Sequence, residues 1–286
     1  MKEKMSTGPL KRVGVLYHPY IPSSEPLAED IAQFLRQHDV TAWVASSWDE
    51  ATVRRHLSEG VDMLIALGGD GTLLRAGRLA AGYRVPILGV NLGRLGFLAE
   101  VSPSAWQPAL ERVLAGEYWL EKRLMLDAEM VRDGQVLGHY RALNDVVVSR
   151  GSLARVIRVT AYVDGSRLTT YVADGVIVAT PTGSTGYALA AGGPILPPEL
   201  KNMLIVAIAP HLSMDKAIVL DEGAEVWLDV ETDHQVILTV DGQFEVEMRH
   251  GDRIIVRASP YAAYFVRLQD RSYFYRTLME RLRWKE

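Results

Sequence analysis

The 286-residue chain has no cysteine. That absence excludes disulfides, thiolate zinc sites, iron–sulfur ligation and cysteine nucleophiles, and it agrees with a reducing compartment. A basic excess is missing too. The 31 Lys and Arg stand against 35 Asp and Glu, a formal net charge of -4, which argues against a nucleic-acid partner. The seven histidines are scattered and form no HExxH. Nowhere do about 18 uncharged apolar residues run together, and no apolar core of signal-peptide length follows the basic stretch MKEKMSTGPLKRVGVLYHPY. The expectation is a cytoplasmic soluble protein that binds neither nucleic acid nor membrane. Two phosphate-binding fingerprints are absent as well: there is no GxxxxGK[ST] and no GxGxxG, and no lysine lies between Lys11 and Lys122.

What is present divides in two. Apolar residues make up 48% of the chain, ample for two cores. The first part alternates strand-like and helix-like segments, as a Rossmann-like α/β domain does. RVGVLYH (12–18), VTAWVAS (40–46), VDMLIAL (61–67) and VPILGVN (85–91) read as strands. LAEDIAQFLRQHD (27–39), DEATVRRHLSEG (49–60), TLLRAGRLAAG (72–82) and PSAWQPALERVLAGE (103–117) read as helices. From about Leu120 the pattern turns to strand after strand, at 131–140, 143–149, 157–163, 175–180, 203–209, 225–230, 236–240, 253–259 and 263–267. One helix-like segment, STGYALAAGG (184–193), interrupts them, and RSYFYRTLMERLRW (271–284) reads as an amphipathic terminal helix. The expected division is an α/β domain over 1–118, a β-sandwich over 119–268 and a C-terminal helix over 269–286. DG pairs at Asp133, Asp164, Asp174 and Asp241 read as hairpin turns.

The segment LIALGGDGTLLRA (64–76) carries the sharpest chemical signal. A glycine-rich turn between a buried strand and a helix exposes backbone N–H groups to anions, so Gly68, Gly69 and Gly71 form a phosphate cradle. Asp70 inside it repels phosphate and has no packing role, which suits a base aimed at an acceptor hydroxyl during phosphoryl transfer. Thr72 either donates to a phosphate oxygen or caps the helix. The second cluster, ADGVIVATPTGSTGYALAAGGP (173–194), offers the hydroxyls of Thr182, Ser184 and Thr185, close approach at Gly183 and Gly186, and the ring of Tyr187. That combination suits a nucleoside; a serine N-cap accounts for Ser184 alone. In ALNDVVVSR (142–150), Asn144 and Asp145 interrupt a strand pattern. They mark either a turn or polar groups aimed at a ribose diol.

GGDGT (68–72), LGVNLGRLGFLAE (88–100) with LNDVVVSR (143–150), and DGVIVATPTGSTGYALAAGGPI (174–195) together resemble the NAD kinase family over residues 13–267. The family phosphorylates the 2′-hydroxyl of the adenosine ribose of NAD with ATP or, in some members, polyphosphate. The resemblance implies that Asp70 is the base, with Gly71 and Leu74 beside the substrate and Phe97 packed on adenine. It implies ribose contacts from Asn144 and Asp145, Asp174 near the nicotinamide end, and Thr182, Thr185, Gly186 and Tyr187 around the adenosine. Gln243, in VDGQ, would line the site. The implied site lies between an α/β domain and a β-sandwich, and bacterial relatives are homodimers or homotetramers. Where the family often has glutamate, alanine and serine, this chain has Asp145, Gly186 and Ala190. Two anionic substrates in a chain of net charge -4 call for cations: Arg75, Arg94 and Arg150 lie near the motifs, and Mg²⁺ would supply much of the rest, through ligands the sequence does not assign. GGDGT also occurs in lipid kinases of the diacylglycerol and sphingosine type. A lipid kinase and a non-catalytic dinucleotide sensor are the alternatives.

Overall fold

The structure is a computed structural model that describes residues 9–93, 96–151, 155–211 and 214–282. The chain divides into two compact units, Met1–Lys122 with Ala263–Glu286, and Arg123–Ala262.

The first unit contains β1 (Arg12–Tyr17), α1 (Ser24–Gln37), β2 (Thr41–Ser46), α2 (Glu50–Ser58), β3 (Met63–Gly68), α3 (Asp70–Ala81), β4 (Ile87–Asn91) and α4 (Trp106–Leu114). The four strands run parallel in the order β2-β1-β3-β4. All six residues of β3 are buried, as a strand covered on both faces requires. α1 buries Ala28, Ile31, Ala32 and Leu35, one stripe at helical spacing. α2 starts where the Asp49 side chain accepts the Thr52 N–H at 3.0 Å. The strand order reverses between β1 and β3. The carboxyl ends of these two strands therefore form a topological switch point, where open α/β sheets bind ligands. β3 ends at Gly68 and α3 begins at Asp70, which puts GGDGT at this switch point.

β5 (Trp119–Arg132) leads into the second unit, which continues with β6 (Gln135–Ala142), β7 (Asp145–Arg150), β8 (Ile157–Val163), β9 (Ser166–Ala173) and β10 (Gly175–Ala179). A 3₁₀ turn (Gly183–Thr185), α5 (Tyr187–Ala190), β11 (Asn202–Ile208), β12 (Ile218–Asp221), β13 (Glu225–Val230), β14 (Val236–Val240) and β15 (Phe244–Met248) follow. β16 (Arg253–Arg267) leads back to the first unit, where α6 (Tyr273–Leu282) ends the described chain. β12-β11-β10-β7-β14-β15 form one antiparallel sheet, and β8 pairs antiparallel with β9 and β13. Alternate residues of both layers, Val146, Val148, Val176 and Val178 from one and Val159, Ala161, Val226 and Leu228 from the other, share a single buried core.

Three of the four DG pairs are hairpin turns. All three pairs have positive φ at both residues. Asp133–Gly134 and Asp164–Gly165 are two-residue type I′ loops, while Asp241–Gly242 opens a three-residue loop closed by the pair Val240 and Phe244. Asp174 is different. It lies between β9 and β10, its N–H donates to Ile208 O at 2.9 Å, and its carboxylate pairs with Arg150 at 3.1 Å.

Local departures from the sequence reading have physical causes. β9, β12 and β15 escape the pattern because each ends a sheet, where half-buried polar residues are tolerated. Segments 253–259 and 263–267 are one strand, β16; Pro260 between them is exposed and lies past the residues paired with β13. The helix expected over 184–193 is a 3₁₀ turn and a single turn, because Gly186 (φ -99°, ψ -130°) breaks the helical path.

A buried ionic cluster fastens the returning segment inside the first unit. Arg267, fully buried, meets Glu121 at 2.7 Å and Glu100 at 3.2 Å, and the Tyr273 hydroxyl donates to Glu121 at 2.8 Å. Removing one member strands the others in low dielectric. Arg267→Met should lower the unfolding free energy by about 3–5 kcal/mol in urea titrations.

Candidate active site

The three glycines of the cradle differ. A Cβ on Gly68 would fall 2.2 Å from Thr72 Oγ1, so this glycine admits the threonine. Cβ atoms on Gly69 and Gly71 would meet nothing within 4 Å. Packing explains the first glycine and leaves the space over the other two open. Thr72 is not a cap: the N-cap of α3 is Gly69, with no side-chain cap bond. Its hydroxyl is buried and has no hydrogen-bond partner among the described residues. An unsatisfied buried hydroxyl costs about 1–3 kcal/mol, which a phosphate oxygen accepting its proton would offset.

Asp70 does have a packing role, contrary to the sequence reading. Oδ2 accepts the Phe97 N–H at 2.8 Å and Oδ1 the Leu98 N–H at 3.1 Å. The carboxylate thus ties the start of α3 to the loop after β4 and brings Phe97 beside the cradle. Each oxygen keeps lone-pair capacity for a further donor. Leu74, one helical turn on, is buried. Arg75 lies over the Trp48 ring at 4.7 Å and pairs with Glu50 at 3.4 Å, so its charge is partly balanced. Arg94 lies outside the described residues.

In the second unit, Asn144, Asp145 and Tyr187 line one cavity of about 300 Å³, together with Val147, Ser149, Thr239, Asp241 and Gly242. Asp145 opens β7, opposite Ala179 of β10, and is nearly fully buried. Burial, with the Asp241 carboxylate nearby, pushes its pKa up to about 7. Tyr187 is half exposed. Gly183 is required by close approach, since a Cβ there would sit 2.1 Å from Asn144 O. A Cβ on Gly186 would lie 3.6 Å from Asn144 Nδ2 and 4.0 Å from Asp145 Oδ2.

Other expected residues stand outside this cavity wall. The Thr182 hydroxyl accepts from Arg123 at 3.1 Å, and that of Thr185 donates to Thr182 O at 3.1 Å. Ser184 donates to Pro181 O at 2.6 Å and does not cap a helix. Asp174 and Arg150 satisfy each other. Gln243 lies in the hairpin after β14, its N–H bonded to Val240 O at 2.9 Å.

Asp241, expected only as a hairpin residue within VDGQ, has a larger part. Its carboxylate accepts the N–H groups of Leu143, Asn144 and Asp145 at 2.7–3.1 Å, which fixes the turn carrying the cavity's polar groups. The sequence signal existed, but DG reads the same at 241 as at 133 and 164.

Two predictions follow from this geometry. Thr72→Val removes an orphan hydroxyl at constant shape, so the melting temperature should hold or rise while the KM for a phosphorylated ligand increases about tenfold. Asp145 has a folded pKa above its unfolded one, so its contribution is full below about pH 4 and is lost as pH rises toward 7. Asp145→Asn should match the wild type in denaturant stability near pH 4 and exceed it at pH 8.

Known proteins resemble this chain in sequence and in fold. A family model described as the ATP-NAD kinase N-terminal domain matches residues 24–118, and one described as the ATP-NAD kinase C-terminal domain matches residues 143–268. An NAD kinase of Chloroflexus aurantiacus is 43% identical over 274 residues, 96% of this chain and 99% of the relative. One of Geobacter metallireducens is 39% identical over 288 residues, 97% and 100% of the two chains. Among solved structures, yeast NADH kinase complexed with NADH aligns with a TM-score of 0.88 at 25% identity, covering 98% of this chain and 89% of that one. An NAD kinase from Archaeoglobus fulgidus in complex with ATP gives 0.77 at 28% identity, over 95% and 98%. With family models on both halves and full-length relatives near 40% identity, the chain belongs to the NAD kinase family.

Proposed function

We propose that the chain transfers the γ-phosphate of ATP to the 2′-hydroxyl of the adenosine ribose of NAD, giving NADP and ADP, with Asp70 as general base. The observation that carries this reading is the switch-point turn. A carboxylate, two glycines with open space above them and an unpaired buried hydroxyl converge there. Backbone donors around Gly68, Gly69 and Gly71 and the Thr72 hydroxyl take the transferring phosphoryl group, at the positive end of α3. Asp70 takes the proton as the ribose oxygen bonds to phosphorus and the bond to the β-phosphate oxygen breaks.

Asn144 and Asp145 accept and donate to ribose hydroxyls, and the Tyr187 ring packs on the adenosine. Thr182, Thr185 and Gly186 belong to the segment that leads into Tyr187, and the family resemblance assigns Phe97 to adenine. Asp174 serves the nicotinamide end, and Gln243 borders the cavity's hairpin.

ATP as donor is supported by the Archaeoglobus relative, whose structure is a complex with ATP. The divalent cation enters with the donor as MgATP. Mg²⁺ would be held chiefly by the donor's phosphate oxygens and water. Bound there, it neutralises phosphate charge.

The deciding assay incubates wild type and Asp70→Asn with MgATP and NAD and follows NADP. The wild type should turn over and Asp70→Asn should lose about 10²–10⁴-fold in kcat. Full turnover by Asp70→Asn would remove the base assignment. A wild type that phosphorylates diacylglycerol and not NAD would overturn the reading altogether.

A further inference from the structure

Arg281 is an anomaly. It is 7% exposed on α6, yet among the described residues it has no carboxylate within ion-pair distance, and its Nε has no hydrogen-bond partner. Burial, with the Arg267 charge nearby, lowers its pKa, and the Glu100 and Asp70 carboxylates act on it only from beyond ion-pair distance. An apolar residue would pack the same place at lower cost. Its one hydrogen bond runs from NH1 to Gly96 O at 2.7 Å, and its guanidinium lies 5.8 Å from the Phe97 ring centroid and 5.4 Å from that of Tyr273.

The acceptor is half of a single peptide group. The Gly96 carbonyl and the Phe97 N–H belong to one planar amide, and that N–H donates to Asp70 Oδ2 at 2.8 Å. Arg281 therefore grips one end of an amide whose other end grips Asp70. A cation on the oxygen polarises the amide and strengthens its N–H as a donor. The fit is tight, because a Cβ on Gly96 would lie 2.3 Å from Asp70 Oδ1. Below it, the fully buried Arg267 holds Leu98 O at 2.8 Å, while the Leu98 N–H takes the other Asp70 oxygen.

We infer that Arg281 is a positioning residue for phosphoryl transfer, fixing the Gly96–Phe97 amide and through it the direction of the Asp70 carboxylate and the Phe97 ring. The inference rests on the proposed role of Asp70. It gives the C-terminal helix a part in the reaction that its amphipathic pattern does not suggest.

Three near-isosteric variants test it: Arg281→Met, which cannot donate, and Arg281→Gln and Arg281→Lys, which can. Arg281→Met should lower kcat with NAD and MgATP by about ten- to a hundredfold, with a melting temperature within a few degrees of wild type. Arg281→Gln and Arg281→Lys should recover most of the loss. In an Asp70→Asn background, Arg281→Met should cost less than about twofold further, since there is no base left to orient. Arg281→Met at wild-type kcat, Arg281→Gln as poor as Arg281→Met, or the full loss persisting beside Asp70→Asn would each overturn the inference. Asp70→Asn at full turnover would instead remove the base assignment, a result distinguishable from the others by its single-mutant rate.

Discussion

The arrangement depends on one carboxylate receiving two backbone amides. Asp70 opens α3 and accepts the N–H groups of Phe97 and Leu98, so a helix start at the sheet's switch point and a loop 27 residues later become one rigid element. A negative charge in the first turn suits the helix dipole, and two amide donors further stabilise it. The same residue thus has a structural reason to be an aspartate and a position suited to chemistry. Mutational effects at Asp70 must be read with both in mind: asparagine keeps one acceptor oxygen and offers an NH₂ where the other oxygen accepted a bond.

Behind that loop stands the buried cluster of Arg267, Glu100 and Glu121. Glu100 also accepts the N–H groups of Leu268 and Gln269 at 2.8 and 3.0 Å, so the last residues of β16 and the loop after β4 are bound at several points. In the second unit, Asp241 plays a comparable part. A hairpin turn supplies a carboxylate to three successive amides, and the Asp145 carboxyl it helps to fix is raised toward neutrality by burial and by Asp241 itself.

Much of this was legible in the sequence where local chemistry and pattern coincide. The all-apolar β3 running into GGDGT announces a central parallel strand and an anion-binding turn, and the hairpins at Asp133 and Asp164 follow from DG alone. What was hidden depends on distant partners. Nothing near Asp70 says that its oxygens are claimed by Phe97 and Leu98. Asp241 looks like any other hairpin aspartate. Arg281 occupies an amphipathic helix, where arginine normally faces water, and only the fold reveals its burial. Likewise Thr182 and Thr185 read as ligand donors from composition, while their hydroxyls bond within the chain.

The most direct test of the central claim follows the phosphoryl group itself. Incubated with NAD and MgATP carrying ³²P in the γ-phosphate, the protein should yield labelled dinucleotide whose label is released by a phosphatase as the 2′-phosphate of the adenosine ribose. Label that stays in ATP, or that appears only as inorganic phosphate, would contradict the account.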